Sequence, residues 1–78
     1  MWGKDKMKTK KINITTNYIT LGQMLKLTNL FTSGGMIKQY LQVEGVTVND
    51  TIEHRRGRKL YDGDIVTVNR HTYEIATK

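Results

Sequence analysis

The chain has 78 residues, with 13 Lys and Arg against 7 Asp and Glu, a formal net charge of +6, and no cysteine. This length has room for one domain with one modest core, which leaves no space for a separate catalytic domain. The absence of cysteine excludes a disulfide framework, a thiolate metal site and a cysteine nucleophile, and the excess of positive charge favours a polyanionic partner.

Residues 1–11 carry Lys4, Lys6, Lys8, Lys10 and Lys11 against Asp5, with no apolar periodicity. They are expected to form a flexible basic arm ahead of a single domain over residues 12–78. Met7 is a second candidate for the natural start. No apolar run resembles a signal peptide or a membrane span, so the sequence predicts a soluble cytoplasmic protein. Ile12-Asn13-Ile14-Thr15 alternates apolar and polar residues and predicts a short strand. Thr20 and Gln23 then have the spacing of a capping box, with Ile19 placed to staple onto Met24. The helix they open is expected to run to Asn29, with Leu21, Met24, Leu25, Leu27 and Thr28 inward and Gln23 and Lys26 toward solvent.

Ser33 is the cap of a second helix, expected from Gly34 to Glu44, with Ile37, Tyr40 and Leu41 facing the core and Gly45 closing its end. Strand signals follow at Val46-Thr47-Val48, a turn at Asn49-Asp50, and a return through Thr51 and Ile52. A basic loop over residues 54–59 comes next, then a turn at Asp62-Gly63, a strand from Asp64 to Val68, a turn over residues 69–71, and a last strand around Tyr73-Glu74-Ile75. Helices early and strands late predict an α+β domain, a two-helix unit packed on a small, mostly antiparallel sheet.

The residues offer little for catalysis. His54 and His71 are the only histidines, each lies beside arginine in a polar loop, and neither has the carboxylate neighbours of a metal site. Asp62 and Asp64 flank Gly63 as turn residues do. No catalytic residue, metal or cofactor is expected. Binding features are clearer. Ser33-Gly34-Gly35 has two readings: amides at a helix start open to a phosphate, with Lys38 one turn on, or glycines that let the helix pair pack tightly. The segment Arg55-Arg56-Gly57-Arg58-Lys59 concentrates guanidinium forks that grip phosphates and stack on bases. Its alternative is a solvated loop paired with Glu53, Asp62 or Asp64.

From Thr20 to Val68 the sequence resembles the ribosomal-protein-S-four-type RNA-binding domain, most closely its stand-alone bacterial, YaaA-like form. The resemblance rests on Leu21 with Leu25, on Ser33 opening a helix that carries Lys38, on Val46-Thr47-Val48-Asn49, and on Asp62-Gly63-Asp64-Ile65-Val66. Ser33-Gly34-Gly35 and Arg55-Arg56-Gly57-Arg58-Lys59-Leu60 resemble the stand-alone branch in particular. It implies the alpha-L RNA-binding type of fold, with no enzymatic activity. It also implies that structured RNA, ribosomal RNA first and transfer RNA second, binds along the second helix and adjoining loops in ribosome assembly or a ribosome-linked process. The expected contacts are Ser33, Gly34, Gly35, Lys38, Asn49, Arg55, Arg56, Arg58 and Lys59, and the expected partners are RNA and the ribosome or a pre-ribosomal particle, with no membrane. Thr20-Leu21-Gly22 stands where an Arg-Leu-Asp-like motif is usual, and Gly34 where arginine is frequent, which shifts the expected phosphate contacts to the basic loop and lysine arm. The alternative from another class is a protein-interaction adaptor or a carrier domain without a nucleic acid ligand. A sulfur carrier is expected to end in Gly-Gly, whereas this sequence ends Ala76-Thr77-Lys78.

Overall fold

In a computed structural model of the protein, residues 9–77 are described. The order is β1 (Thr9–Ile14), β2 (Ile19–Thr20), α1 (Leu21–Leu27), α2 (Gly34–Val43), β3 (Val46–Val48), β4 (Thr51–Glu53), β5 (Lys59–Leu60), β6 (Ile65–Val68) and β7 (His71–Thr77). A five-stranded sheet in the order β1-β7-β6-β3-β4 carries the two helices, and β2 and β5 form a separate two-stranded ribbon. All pairings are antiparallel except β1 with β7. The two-helix unit on a mostly antiparallel sheet is the α+β architecture that the element order predicts.

The helices begin where the sequence places them. Thr20 accepts a hydrogen bond from the Gln23 amide while the Gln23 side chain accepts one from the Thr20 amide, which satisfies two groups of the first turn. Thr28 ends α1, one residue before Asn29 at φ 63°, in the left-handed region that asparagine tolerates at a helix end. Ser33 caps α2 by accepting from the Met36 amide.

Leu21, Met24 and Leu25 of α1 and Ile37 and Leu41 of α2 bury against Val46, Val48, Val66, Val68, Tyr73 and Ile75 on one face of the sheet. Burial pushes the Tyr73 phenol up, opposed by a hydrogen bond with Thr28 at the end of α1. Leu27, expected on the inner face, is 54% exposed. The helix ends there, and the burial stripe has already turned away from it after Leu25.

Two hairpins use tight turns with both central residues left-handed, Asn49-Asp50 at φ 49° and 72° and Asn69-Arg70 at φ 46° and 73°. That geometry matches the twist of the strands it joins and suits asparagine at its first position. The basic arm was expected to extend through Lys11, but Thr9, Lys10 and Lys11 belong to β1, in register with Thr72, Tyr73 and Glu74 of β7. The backbone of β7 offers a free ladder edge, and pairing with it outweighs the polar character of these side chains. Residues 1–8 of the expected arm lie outside the described residues. None of the described helices is long and apolar enough to cross a membrane.

Gly45 closes α2 at φ 77°, with its amide donating to the Tyr40 carbonyl. Beside it, His54 Nδ1 lies 2.6 Å from the Leu41 carbonyl, so this nitrogen carries the proton and caps a carbonyl of the last turn. A Cβ on Gly45 would stand 2.8 Å from His54 Cε1 and 3.0 Å from Ile52 Cγ2. Gly45→Ala is therefore expected to cost about 1–3 kcal/mol, from the left-handed backbone and the displaced imidazole together. At about 4–8 °C per kcal/mol for a domain of this size, a thermal melt reads this directly, and an unchanged midpoint would contradict the cap described here.

Candidate nucleic-acid interface

The basic segment is organised by a carboxylate. Glu53, only 8% exposed, is the last residue of β4 and sits opposite buried Val46 across the ladder. Arg55 Nε lies 3.1 Å from Glu53 Oε2, and Arg58 Nη1 lies 2.9 Å from Oε1. The His54 and Arg55 amides also donate to Oε2, each at 3.1 Å. These donors, Arg55 foremost, outweigh the effect of burial and lower the Glu53 pKa from 4.5 to about 2.

The loop so curled presents its carbonyls to the start of α1. The Leu21 amide donates to the Arg58 carbonyl at 2.8 Å, and the Gly22 amide to the Arg56 carbonyl at 2.9 Å. Together with the Thr20 cap on Gln23, this occupies the amides of the first turn, so α1 presents no open amide end to a ligand. Lys59 and Leu60, expected within or just beyond a loop, instead form β5, in register with Thr20 and Ile19.

Between the first turns of both helices and this loop lies a groove of about 270 Å³, lined by Thr20, Gly22, Gln23, Lys26, Gly34, Ile37, Arg56 and Gly57. Lys26 stands on one wall and Arg56 on another, with the opening of α2 between them. Helix geometry leaves the Gly34 and Gly35 amides without an intrahelical acceptor. A Cβ on Gly34 would meet nothing closer than Lys26 Cε at 4.0 Å, and one on Gly35 nothing closer than Ser33 Oγ at 3.8 Å. Neither glycine is required by helix packing, and neither has positive φ. Of the two readings of Ser33-Gly34-Gly35, tight packing thus loses its support, and an open approach to backbone amides keeps it.

The nine expected contact residues divide. Gly34 and Arg56 line the groove, with Ser33 and Gly35 beside Gly34 in the same turn. Arg55 and Arg58, expected as phosphate contacts, are instead engaged with Glu53, the pairing that the alternative reading of the loop allowed. Asn49, also expected as a contact, uses its side chain internally. Its Nδ2 donates to Asp64 Oδ1 at 3.0 Å, and its Oδ1 accepts from the Ile65 amide at 2.9 Å. Asp62 and Asp64 are turn residues, accepting from the Thr77 and Tyr61 amides respectively. Lys38 is exposed on α2 without lining the groove, and Lys59 places its ammonium 4.9 Å from the Tyr18 ring centroid.

Lys26 is exposed, as helical periodicity indicates, and it also lines the groove, which sequence reasoning did not anticipate. The available signal is its spacing, one helical turn from Gly22, whose missing side chain leaves the groove open beside it.

The sequence pattern of the S4 domain family matches residues 12–76. The chain belongs to the S4 domain family. It is also 54% identical over 57 residues to the Probable ribosome maturation protein RlbA of Bacillus subtilis (strain 168), a match covering 73% of this chain and 80% of that relative. In this S4 domain the groove lies at the junction of the two helices and the loop that precedes β5.

The depressed Glu53 pKa has a defined consequence for stability. A carboxylate that ionises more readily when folded stabilises the fold above its unfolded pKa, and this contribution is lost as pH falls from 4.5 toward about 2. Solvent around Arg55, whose side chain is 76% exposed, screens part of the interaction. Glu53→Gln is accordingly expected to lose about 1–3 kcal/mol at neutral pH and to approach the parent near the acid end. Denaturant titrations at both pH values check it. A constant gap between the two proteins across that window would remove Glu53 as the acid-sensitive group.

Proposed function

We propose that this is a non-catalytic, cytoplasmic RNA-binding protein that holds the phosphate backbone of folded ribosomal RNA in the groove between α1, α2 and the loop before β5, and so takes part in ribosome maturation. The observation that carries this reading is the convergence of Lys26, Arg56 and the Gly34 opening of α2 on one groove of an S4 domain. An ammonium, a guanidinium fork and a backbone amide are three kinds of group that donate hydrogen bonds to a phosphate oxygen. Such a groove recognises how a folded RNA arranges its backbone more than which bases it contains. The similarity to a relative named for ribosome maturation supports ribosomal RNA as the ligand, and transfer RNA, with a similar folded backbone, is the competitor to test beside it.

Glycine at a helix start is a poor choice for stability, because alanine there restricts the unfolded chain and favours the helix. Gly34→Ala should therefore raise stability slightly, by up to about 1 kcal/mol, while weakening RNA binding as its methyl group stands off the phosphate. Opposite signs in the two measurements are the signature of a glycine kept for access.

The direct test measures binding of ribosomal RNA fragments across a range of salt. Contacts from Lys26, Arg56 and Lys59 to about three phosphates give a logarithmic salt slope near −3, and each cation removed should flatten it by about 1. Lys26→Ala combined with Arg56→Ala is expected to weaken binding at least about ten-fold, with the melting temperature almost unchanged, since neither side chain pairs with Glu53. Arg58→Ala is the contrasting variant, expected to lose stability because it strips a donor from a buried carboxylate. If the parent shows no affinity for ribosomal RNA, or the double variant keeps the parent's affinity and salt slope, the groove is not the binding site.

A further inference from the structure

Two tyrosines near the groove have no part in the core. Tyr18 and Tyr61 are 41% and 50% exposed. Their position follows from the β2-β5 ribbon, where Ile19 pairs with Leu60 and Thr20 with Lys59. Ile19 and Leu60 are buried, so alternation along each strand turns their neighbours outward. Extending the register by one step sets Tyr18 across from Tyr61, and the rings meet with centroids 5.9 Å apart at 49°. The ammonium of Lys59 lies 4.9 Å from the Tyr18 centroid.

Both rings stand on fixed backbone. Thr16 Oγ1 donates to the Tyr18 carbonyl at 2.7 Å. The Tyr61 amide donates to Asp64 Oδ2 at 2.8 Å, and the Asp64 amide donates to the Tyr61 carbonyl at 3.0 Å. Thr20, on the same outer face two residues from Tyr18, is itself a wall of the phosphate groove. The outer face of the ribbon thus leads from Arg56 and Lys26, past Thr20 and Lys59, onto two exposed aromatic rings.

We propose that Tyr18 and Tyr61 form a stacking platform for one unpaired base of the bound RNA, beside the phosphates held in the groove. This rests on the RNA-binding reading above and adds to it a requirement for an unpaired nucleotide at a defined place. An exposed aromatic face next to a cation suits a nucleotide, because the ring stacks on the base while the ammonium meets its phosphate. Tyr61, the more exposed of the two, supplies the face, and Tyr18 backs it. A base inside a continuous duplex has no free face to offer, so the platform selects a bulge, a junction or a single-stranded flank.

The test compares RNA hairpins that share one stem. One is blunt, others carry an unpaired adenine run as a 5′ tail, a 3′ tail or a bulge, and matched versions carry abasic sugars in place of those adenines. For the parent protein, at least one adenine-bearing hairpin is expected to bind about five-fold or more tightly than its abasic counterpart, the low end of what stacking one base provides. This comparison needs no variant, and phosphate number is equal on both sides. Tyr61→Ala should abolish the gain while leaving blunt-hairpin affinity and the salt slope intact, and Tyr61→Phe should retain it. If the hairpins bind with the expected salt slope but no adenine-bearing form exceeds its abasic control, the platform is wrong and the groove stands. A gain that survives Tyr18→Ala with Tyr61→Ala also overturns it. Absence of binding to every hairpin and to ribosomal RNA would remove the RNA-binding reading, and the platform with it.

Discussion

The Glu53 carboxylate anchors the segment on which the groove depends. Placing a charged group at 8% exposure is unfavourable unless its lone pairs are satisfied. Here the donors are the His54 and Arg55 amides, Arg55 Nε and Nη2, and Arg58 Nη1. Two of them are backbone groups of the residues directly after Glu53, so satisfying the charge bends the chain as it leaves β4. The curled segment then offers the Arg56 and Arg58 carbonyls to the Gly22 and Leu21 amides. One buried charge thereby ties a strand of the main sheet to the first turn of α1 and aligns β5 for pairing with β2. Breaking such a pair on one side leaves an uncompensated ion, which is why loss of either partner matters more than the net strength of the interaction.

This arrangement also sorts four neighbouring cations by task. Arg55 and Arg58 share the single Glu53 carboxylate, which offsets one of their two positive charges. Arg56 points from the opposite side of the loop into the groove, and Lys59 lies on the outer face of the ribbon. The field at the groove therefore comes from fewer charges than the basic sequence suggests, concentrated by Lys26 from the facing helix.

Features encoded by neighbouring residues were legible in the sequence. The Thr20-Gln23 box, the Ser33 cap, the left-handed Gly45 and the Asn49-Asp50 turn each follow from local hydrogen bonding or backbone sterics. Features set by distant pairing were not. Nothing near Lys10 announces that it pairs with Tyr73, and nothing near Tyr18 announces β5, because register between remote strands is decided by which edges the completed core leaves open. The site was legible in the same measure. The groove's lining includes Gly34 and Arg56 from the two segments singled out in the sequence, but the pairing of Arg55 and Arg58 required the burial of Glu53. In Thr51-Ile52-Glu53 the pleat turns Ile52 outward and Glu53 inward, against their hydrophobicity, so composition alone points the wrong way. Lys26 is exposed as helical periodicity indicates, but that periodicity separates core from surface without distinguishing open surface from the wall of a groove.

The parallel pairing of β1 with β7 has a practical consequence for attaching the molecule to anything else. Thr9 lies beside Thr72 and Ile14 beside Thr77, so the chain enters the sheet at one end and leaves it at the other. Five steps of about 3.3 Å along the six paired residues put roughly 17 Å between the two points. The exit after Thr77 is next to Ile14, from which the chain runs directly through residues 15–17 to the Tyr18 ring. The entry at Thr9 lies at the far end, by the Asn69-Arg70 turn. A fluorophore attached at Thr9 itself therefore sits at the end of β1 away from the aromatic and cationic face. The same attachment at Thr77 sits at the opposite end, beside Ile14 and the segment that leads to Tyr18.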